Sequence, residues 1–143
     1  MGIFLTPLRV EEINDSVSQS PKWRLIDPLI YKSARCGFII VDSGFVTNFA
    51  SVPRLPFAYL FFGGRANKQA ALHDYLYTFP HCTGCGKTLT RAQADRLFRG
   101  AMTDDLKYNT DFFDNFFIRY IFAHLISWSM WVGVRLGGHK QWQ

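Results

Sequence analysis

Apolar and polar positions follow two different periods along this chain. The first third reads mostly with period two, which predicts strands. Gly2 to Asn14 reads as one or two short strands: Ile3, Leu5, Leu8, Val10 and Ile13 are apolar, and Pro7 interrupts any ladder. Asp15 to Pro21 is polar and turn-rich, so it reads as a loop. Trp23 to Lys32 alternates as a strand that Pro28 demotes to an edge or a bulge. Gly37 to Val41 is dense in β-branched and aromatic residues and reads as a strand. Asp42-Ser43-Gly44 reads as a turn and Phe45 to Thr47 as a restarted strand, which makes 37–47 a hairpin. Asn48 to Pro53 then leaves the sheet. The apolar run Phe57 to Phe62, closed by Gly63-Gly64, reads as a short helix or a wall of a site.

From Asn67 onward the period changes to that of helices. The first helix, Asn67 to Tyr77, places Ala71, Leu72, Tyr75 and Leu76 on one face. Ala70, His73, Asp74 and Tyr77 share the other, and a merely solvated face would more usually carry Lys and Glu. A loop rich in Gly, Cys and Pro follows, from Thr78 to Leu89. The second helix starts near Thr90, a good N-cap that forms a capping-box pattern with Gln93. Ala94, Leu97, Phe98, Ala101 and Met102 recur at the spacing of a buried stripe, and Asp104-Asp105 and Asn109-Thr110 mark the expected break after it. A last helix, Asp111 to Leu136, is aromatic nearly all round. Its length nearly suits a membrane span, but Asp114, Arg119, His124 and Arg135 interrupt it, so a core or interface helix is the expectation and membrane insertion is not. Gly137-Gly138 closes it. Together these elements predict one α+β domain: a small, mostly antiparallel sheet from the N-terminal half covered by three helices from the C-terminal half.

Composition narrows the partners. The chain has 143 residues, 48% of them hydrophobic, so it can build a core without disulfide staples. Its net charge of +5 is spread from Arg9 to Lys140 with no run of four basic residues, a pattern that argues against a sequence-specific nucleic-acid groove. Three cysteines, an odd number, argue against a fully paired secreted scaffold. The N-terminus lacks a charged region followed by a long apolar one. Synthesis and folding in a reducing cytoplasm are therefore expected.

Two groups of residues carry candidate chemistry. The first is Thr47, Asn48, Ser51, His73, Asp74, Arg91 and Asp95. Imidazole and carboxylates could hold a metal that activates water. Alternatively His73 could act as a general base oriented by Asp74 or Asp95, and a Ser51–His73–Asp95 triad is conceivable although Ser51 lacks a nucleophile-elbow context. The competing reading is structural: Asp95 pairs with Arg91, His73 caps the Thr47-to-Ser51 turn, and the network locks a loop to helices. The second group is Cys82-x-x-Cys85 with His81 beside it. That spacing in a glycine turn is half of a zinc knuckle, which Cys36 and His81 or His73 would complete. A local disulfide or redox pair, or free thiols, are the alternatives.

Four blocks in order give a family resemblance. Gly44 to Arg54 (Gly-Phe-Val-Thr-Asn-Phe-Ala-Ser-Val-Pro-Arg) resembles the G-F-x-T-D-x-A-S-x-P-R signature of a family of small phage and prophage proteins, the domain of unknown function numbered 1353. Ala70 to Tyr77 resembles its A-A-x-x-H-D-x-L-Y block, Arg91 to Phe98 its R-x-x-A-D-x-x-F block, and Val134 to Gly138 its terminal V-R-x-x-G. The resemblance covers about 23–138. Asn48 stands where the family has Asp, and a neutral amide is no base and a poorer ligand for hard cations. The resemblance implies a phage origin and a shared polar site. It leads to the expectation of a virion-associated structural protein, in the tail, baseplate or a connector, made in the host cytoplasm. Such a protein would bind other phage structural proteins or a second copy through the 111–136 helix. The alternative is a small metal-dependent hydrolase of cell wall or protein that uses His73, Asp74 and Asp95.

Overall fold

Two three-stranded antiparallel sheets are built from six short strands: β1 (Ile3–Phe4), β2 (Val10–Ile13), β3 (Lys22–Leu25), β4 (Leu29–Ser33), β5 (Gly37–Val41) and β6 (Val46–Thr47). Their orders are β1-β4-β5 and β2-β3-β6. Three helices follow, α1 (Asn67–Thr78), α2 (Arg91–Tyr108) and α3 (Phe116–Gly137). This computed structural model describes residues 2–13, 21–49, 66–108 and 116–137. Ser51, the Phe57 to Phe62 run, most of the 15–21 loop and the 138–143 tail lie outside the described residues.

The sheets are two ends of one long bent hairpin. The Trp23 to Lys32 run forms two strands, because Ile26-Asp27-Pro28 turns a corner between them. Pro28 has no N–H to give to a ladder, but it sits before β4 rather than within it. β4 is therefore the central strand of its sheet, not an edge as the sequence suggested. It buries Leu29, Tyr31 and Ser33 on one face, and Ile39 and Val41 of β5 join them.

The predicted 37–47 hairpin is corrected in the same way. The tight turn is Ala34-Arg35-Cys36, which joins β4 to β5 with Ser33 opposite Gly37. Gly37 takes φ +72°, the left-handed position that closes a three-residue hairpin loop. Ser33 Oγ accepts hydrogen bonds from the backbone N–H groups of Arg35 and Cys36 at 3.2 and 3.4 Å. At Asp42 to Phe45 the chain follows the first strand round its corner. Leu25 N donates to Phe45 O at 2.9 Å and Gly44 N donates to Leu25 O at 2.8 Å, so β6 pairs with β3 and not with β5.

The helices cover this hairpin in succession. α1 buries both of the faces predicted for it: Ala71, Leu72 and Leu76 on one, Ala70, His73 and Tyr77 on the other. α2 divides its stripe between two cores. Ala94, Leu97 and Ala101 pack with α1 and the strands, while Phe98 and Met102 pack with Ala123, Met130 and Val134 of α3. α2 runs through Asp104-Asp105 and ends at Tyr108, directly before Asn109-Thr110, the second part of the expected break. The Asp104 carboxylate accepts from Gly2 N, so it does not compete for its own helix backbone. α3 presents Ala123, Ser127, Met130 and Val134 inward at 4-3-4 spacing, and buried Thr103 and Ser127 join α2 to α3 through a 2.8 Å hydrogen bond. Among the described residues, no helix is long and apolar enough to cross a membrane.

Candidate functional site: a buried carboxylate between three helices

Asp95 lies on α2 with no exposed surface, and His73 on α1 is 1% exposed. Asp95 Oδ1 faces His73 Nε2 at 3.0 Å and accepts from the Tyr77 hydroxyl at 2.6 Å. Its Oδ2 accepts from Arg135 Nη1 of α3 at 3.1 Å. An ionised carboxylate only accepts hydrogen bonds, so His73 Nε2 carries a proton. The His73 ring also packs against the rings of Tyr77 and Phe98, with centroids 4.1 and 4.8 Å away. One carboxylate thus ties together three helices.

Arg91 belongs to the same network at one remove. Its Nε donates to the Tyr77 hydroxyl at 3.2 Å, and its Nη2 donates to Val134 O and Arg135 O at 3.2 and 2.7 Å. These carbonyls end α3, where a cation meets the negative pole of the helix. The sequence paired Asp95 with Arg91; the structure pairs it with Arg135 and leaves Arg91 to cap the helix that brings Arg135 in.

Burial pushes the Asp95 carboxyl up. The hydrogen bonds from His73, Tyr77 and Arg135 pull it down and prevail, so it is held below the ordinary carboxylate range. Tyr77 is pushed up to about 12, first by burial and then by its bond to Asp95, with Arg91 opposing. Asp95 is therefore a permanent anion near neutral pH and Tyr77 a permanent donor.

Asp74 turns the other way. Its Oδ2 accepts from Thr47 Oγ1 at 2.5 Å, and Thr47 Oγ1 in turn accepts from Phe49 N at 3.1 Å. This clamp holds Phe49 at φ +52° just after β6. A shallow cavity of about 250 Å3 opens beside it, lined by Thr47, Asn48, Asp74 and Tyr77 among others. The six described residues of the seven-residue candidate site are thus divided, Ser51 lying outside the described residues. Thr47 and Asp74 clamp the end of β6, with exposed Asn48 beside them. His73, Asp95 and Arg91 turn into the helical interior. Tyr77 and Arg135 are the cluster members that sequence reasoning missed. Tyr77 had a signal, four residues after His73 on the same face. Arg135 is 40 residues from Asp95 in sequence, and its signal was the Val134 to Gly138 block, which did not tie it to Asp95.

The Cys82/Cys85 loop is a separate structure. Leu89 N donates to Pro80 O, His81 bridges Thr88, and Cys82 N donates to Lys87 O, closing a small hairpin. Its tip lies on β5, where Gly84 N donates to Phe38 O at 2.7 Å. A Cβ at Gly84 would collide with the Phe38 backbone. Cys82 is buried and donates to the Cys36 carbonyl, Cys85 is exposed, and the ring of exposed His81 lies 3.5 Å from Thr88 Oγ1. Among the described residues, no three His, Cys, Asp or Glu side chains converge as a metal site, so the expected zinc set of Cys36, Cys82, Cys85 and His81 is not assembled.

A bent antiparallel hairpin, locked to three helices through a buried carboxylate, defines an α+β protein whose polar centre is interior. The profile of the protein family of unknown function DUF1353 matches residues 23–111, and the chain belongs to that family. Val134 to Gly138 lies beyond the matched span, although Arg135 completes the central cluster. Neither the curated proteins nor the solved structures hold a significant match to this chain.

Proposed function

We propose that this protein is a virion-associated structural component of a phage, binding another phage structural protein through the outer face of α3. One observation carries the reading. Ile121, Leu125, Trp128 and Val132 recur at 4-3-4 spacing along α3 and are all exposed, Leu125 by 62% and Trp128 by 49%. The inner face of the helix has the same spacing and is filled by α2, so the outer seam has the pattern of a second helix-packing face. An apolar helix of a neighbouring particle protein fits it. The phage origin implied by the sequence blocks supports the setting.

A hydrolase has less support. The imidazole and carboxylate that would do acid–base work are closed in the interior and tied to Tyr77 and Arg135, which is the arrangement of a lock. Mass spectrometry of purified particles from the encoding phage tests the reading. The chain is expected among the particle proteins in stoichiometric amount; its absence from them sinks the proposal.

A further inference from the structure

Four of the basic residues that are scattered in sequence meet at one place in the fold. A cleft of about 710 Å3 opens between the Ala34–Cys36 turn, the Cys82/Cys85 hairpin and the outer faces of α2 and α3. Arg35, Lys87, Arg96 and Arg99 line it, against a single acid, Asp104, that already accepts from Gly2 N. Arg35, Lys87 and Arg96 make no ion pair among the described residues. Arg99 lies over the Trp128 ring, 4.6 Å from its centroid. His124 also lines the cleft, and its Nε2 is buried with no hydrogen-bond partner among the described residues. The charge of the cleft suits an anion.

Cys85 opens into this cleft, and Cys82 stands behind it in the same turn. We infer that Cys82 and Cys85 form a thiol–disulfide exchange site that accepts an anionic low-molecular-weight disulfide from the cationic cleft. Gly86 N donates to Cys82 O at 2.8 Å, which closes the turn that carries both cysteines. Cys82, and then Lys87 two residues on, favour the Cys85 thiolate. Cys85 is held below the ordinary thiol value, while burial pushes Cys82 up to about 11. That divides the roles between an exposed attacking sulfur and an inner resolving one.

The chemistry balances without a further reagent. The Cys85 thiolate attacks one sulfur of the disulfide R–S–S–R, forming Cys85–S–S–R and releasing one thiolate. Cys82 then gives up its proton and attacks the Cys85 sulfur, breaking the mixed disulfide and forming the Cys82–Cys85 bond. The second thiolate leaves, and the two protons from the protein thiols end on the two released thiols. Two protein thiols are oxidised and one small disulfide is reduced.

The test uses the reduced full chain with glutathione disulfide, which is anionic, against cystamine, which is cationic, followed by intact-mass and peptide mass spectrometry. Glutathione disulfide is expected to react roughly tenfold faster at low salt, with the advantage falling as salt rises. Cys82→Ser should trap a glutathione adduct on Cys85. Cys85→Ser, at an exposed position, should react far more slowly, and Arg96→Glu should remove most of the preference for the anion. Wild type should end with the Cys82–Cys85 bond and no adduct. Equal or faster reaction with cystamine, or oxidation that engages Cys36 in place of Cys85, would overturn the inference.

Discussion

An ionised carboxylate survives in the interior of this fold because the donors around Asp95 replace its water. Three side chains from two other helices supply them, so Asp95 joins three helices. The pH dependence follows from its depressed folded value. That network contributes stability which is complete above the unfolded carboxylate value and is lost as the pH falls through the lower folded one. Wild type should therefore lose stability progressively below about pH 4. Asp95→Asn should be destabilised at neutral pH and should show a flatter acid limb in urea titrations. An unchanged acid limb in that variant would exclude Asp95 as the group responsible. Asp95→Ala, which leaves His73 and Tyr77 without their acceptor, should cost about 3 kcal/mol or more in the same titrations.

At the level of elements, two local signals were fully legible and two were not. The Thr90/Gln93 capping box forms as written, with Gln93 N donating to Thr90 Oγ1 at 3.3 Å and Thr90 N donating to Gln93 Oε1 at 2.8 Å. Thr90→Ala should therefore cost about 1 kcal/mol of stability by chemical denaturation, whereas a change within a few tenths would mean that packing alone fixes the start of α2. The α2 stripe was equally readable, because helical burial repeats within a dozen residues. The hairpin was placed at the wrong turn: Asp42-Ser43-Gly44 has better turn chemistry than Ala34-Arg35-Cys36, and only the pairing of β6 with β3 shows that it is a corner. Pro28 misled for the same reason, since a proline between two strands of one bent ribbon looks locally like a proline within one strand. The candidate site was half legible. His73 and Asp95 were singled out together, and they do meet. The division between the Asp74–Thr47 clamp and the Asp95 joint depends on which way adjacent residues of α1 face once both sides of that helix are buried, and on Arg135 arriving from α3.

At the scale of the whole molecule, α3 has two seams of the same spacing on opposite sides. The inner one completes the core through Ala123, Met130 and Val134, and its far end delivers Arg135 to Asp95. The outer one ends in solvent. The fold and the proposed docking are therefore carried by different residues of one helix and should be separable by mutation. The measurement that tests this most directly is the copy number of the chain in purified phage particles when Leu125 and Val132 are both changed to Asp. The account predicts a variant that melts as wild type does, because both positions are exposed, yet is lost from the particles. A variant that folds and is retained at the wild-type copy number would contradict it.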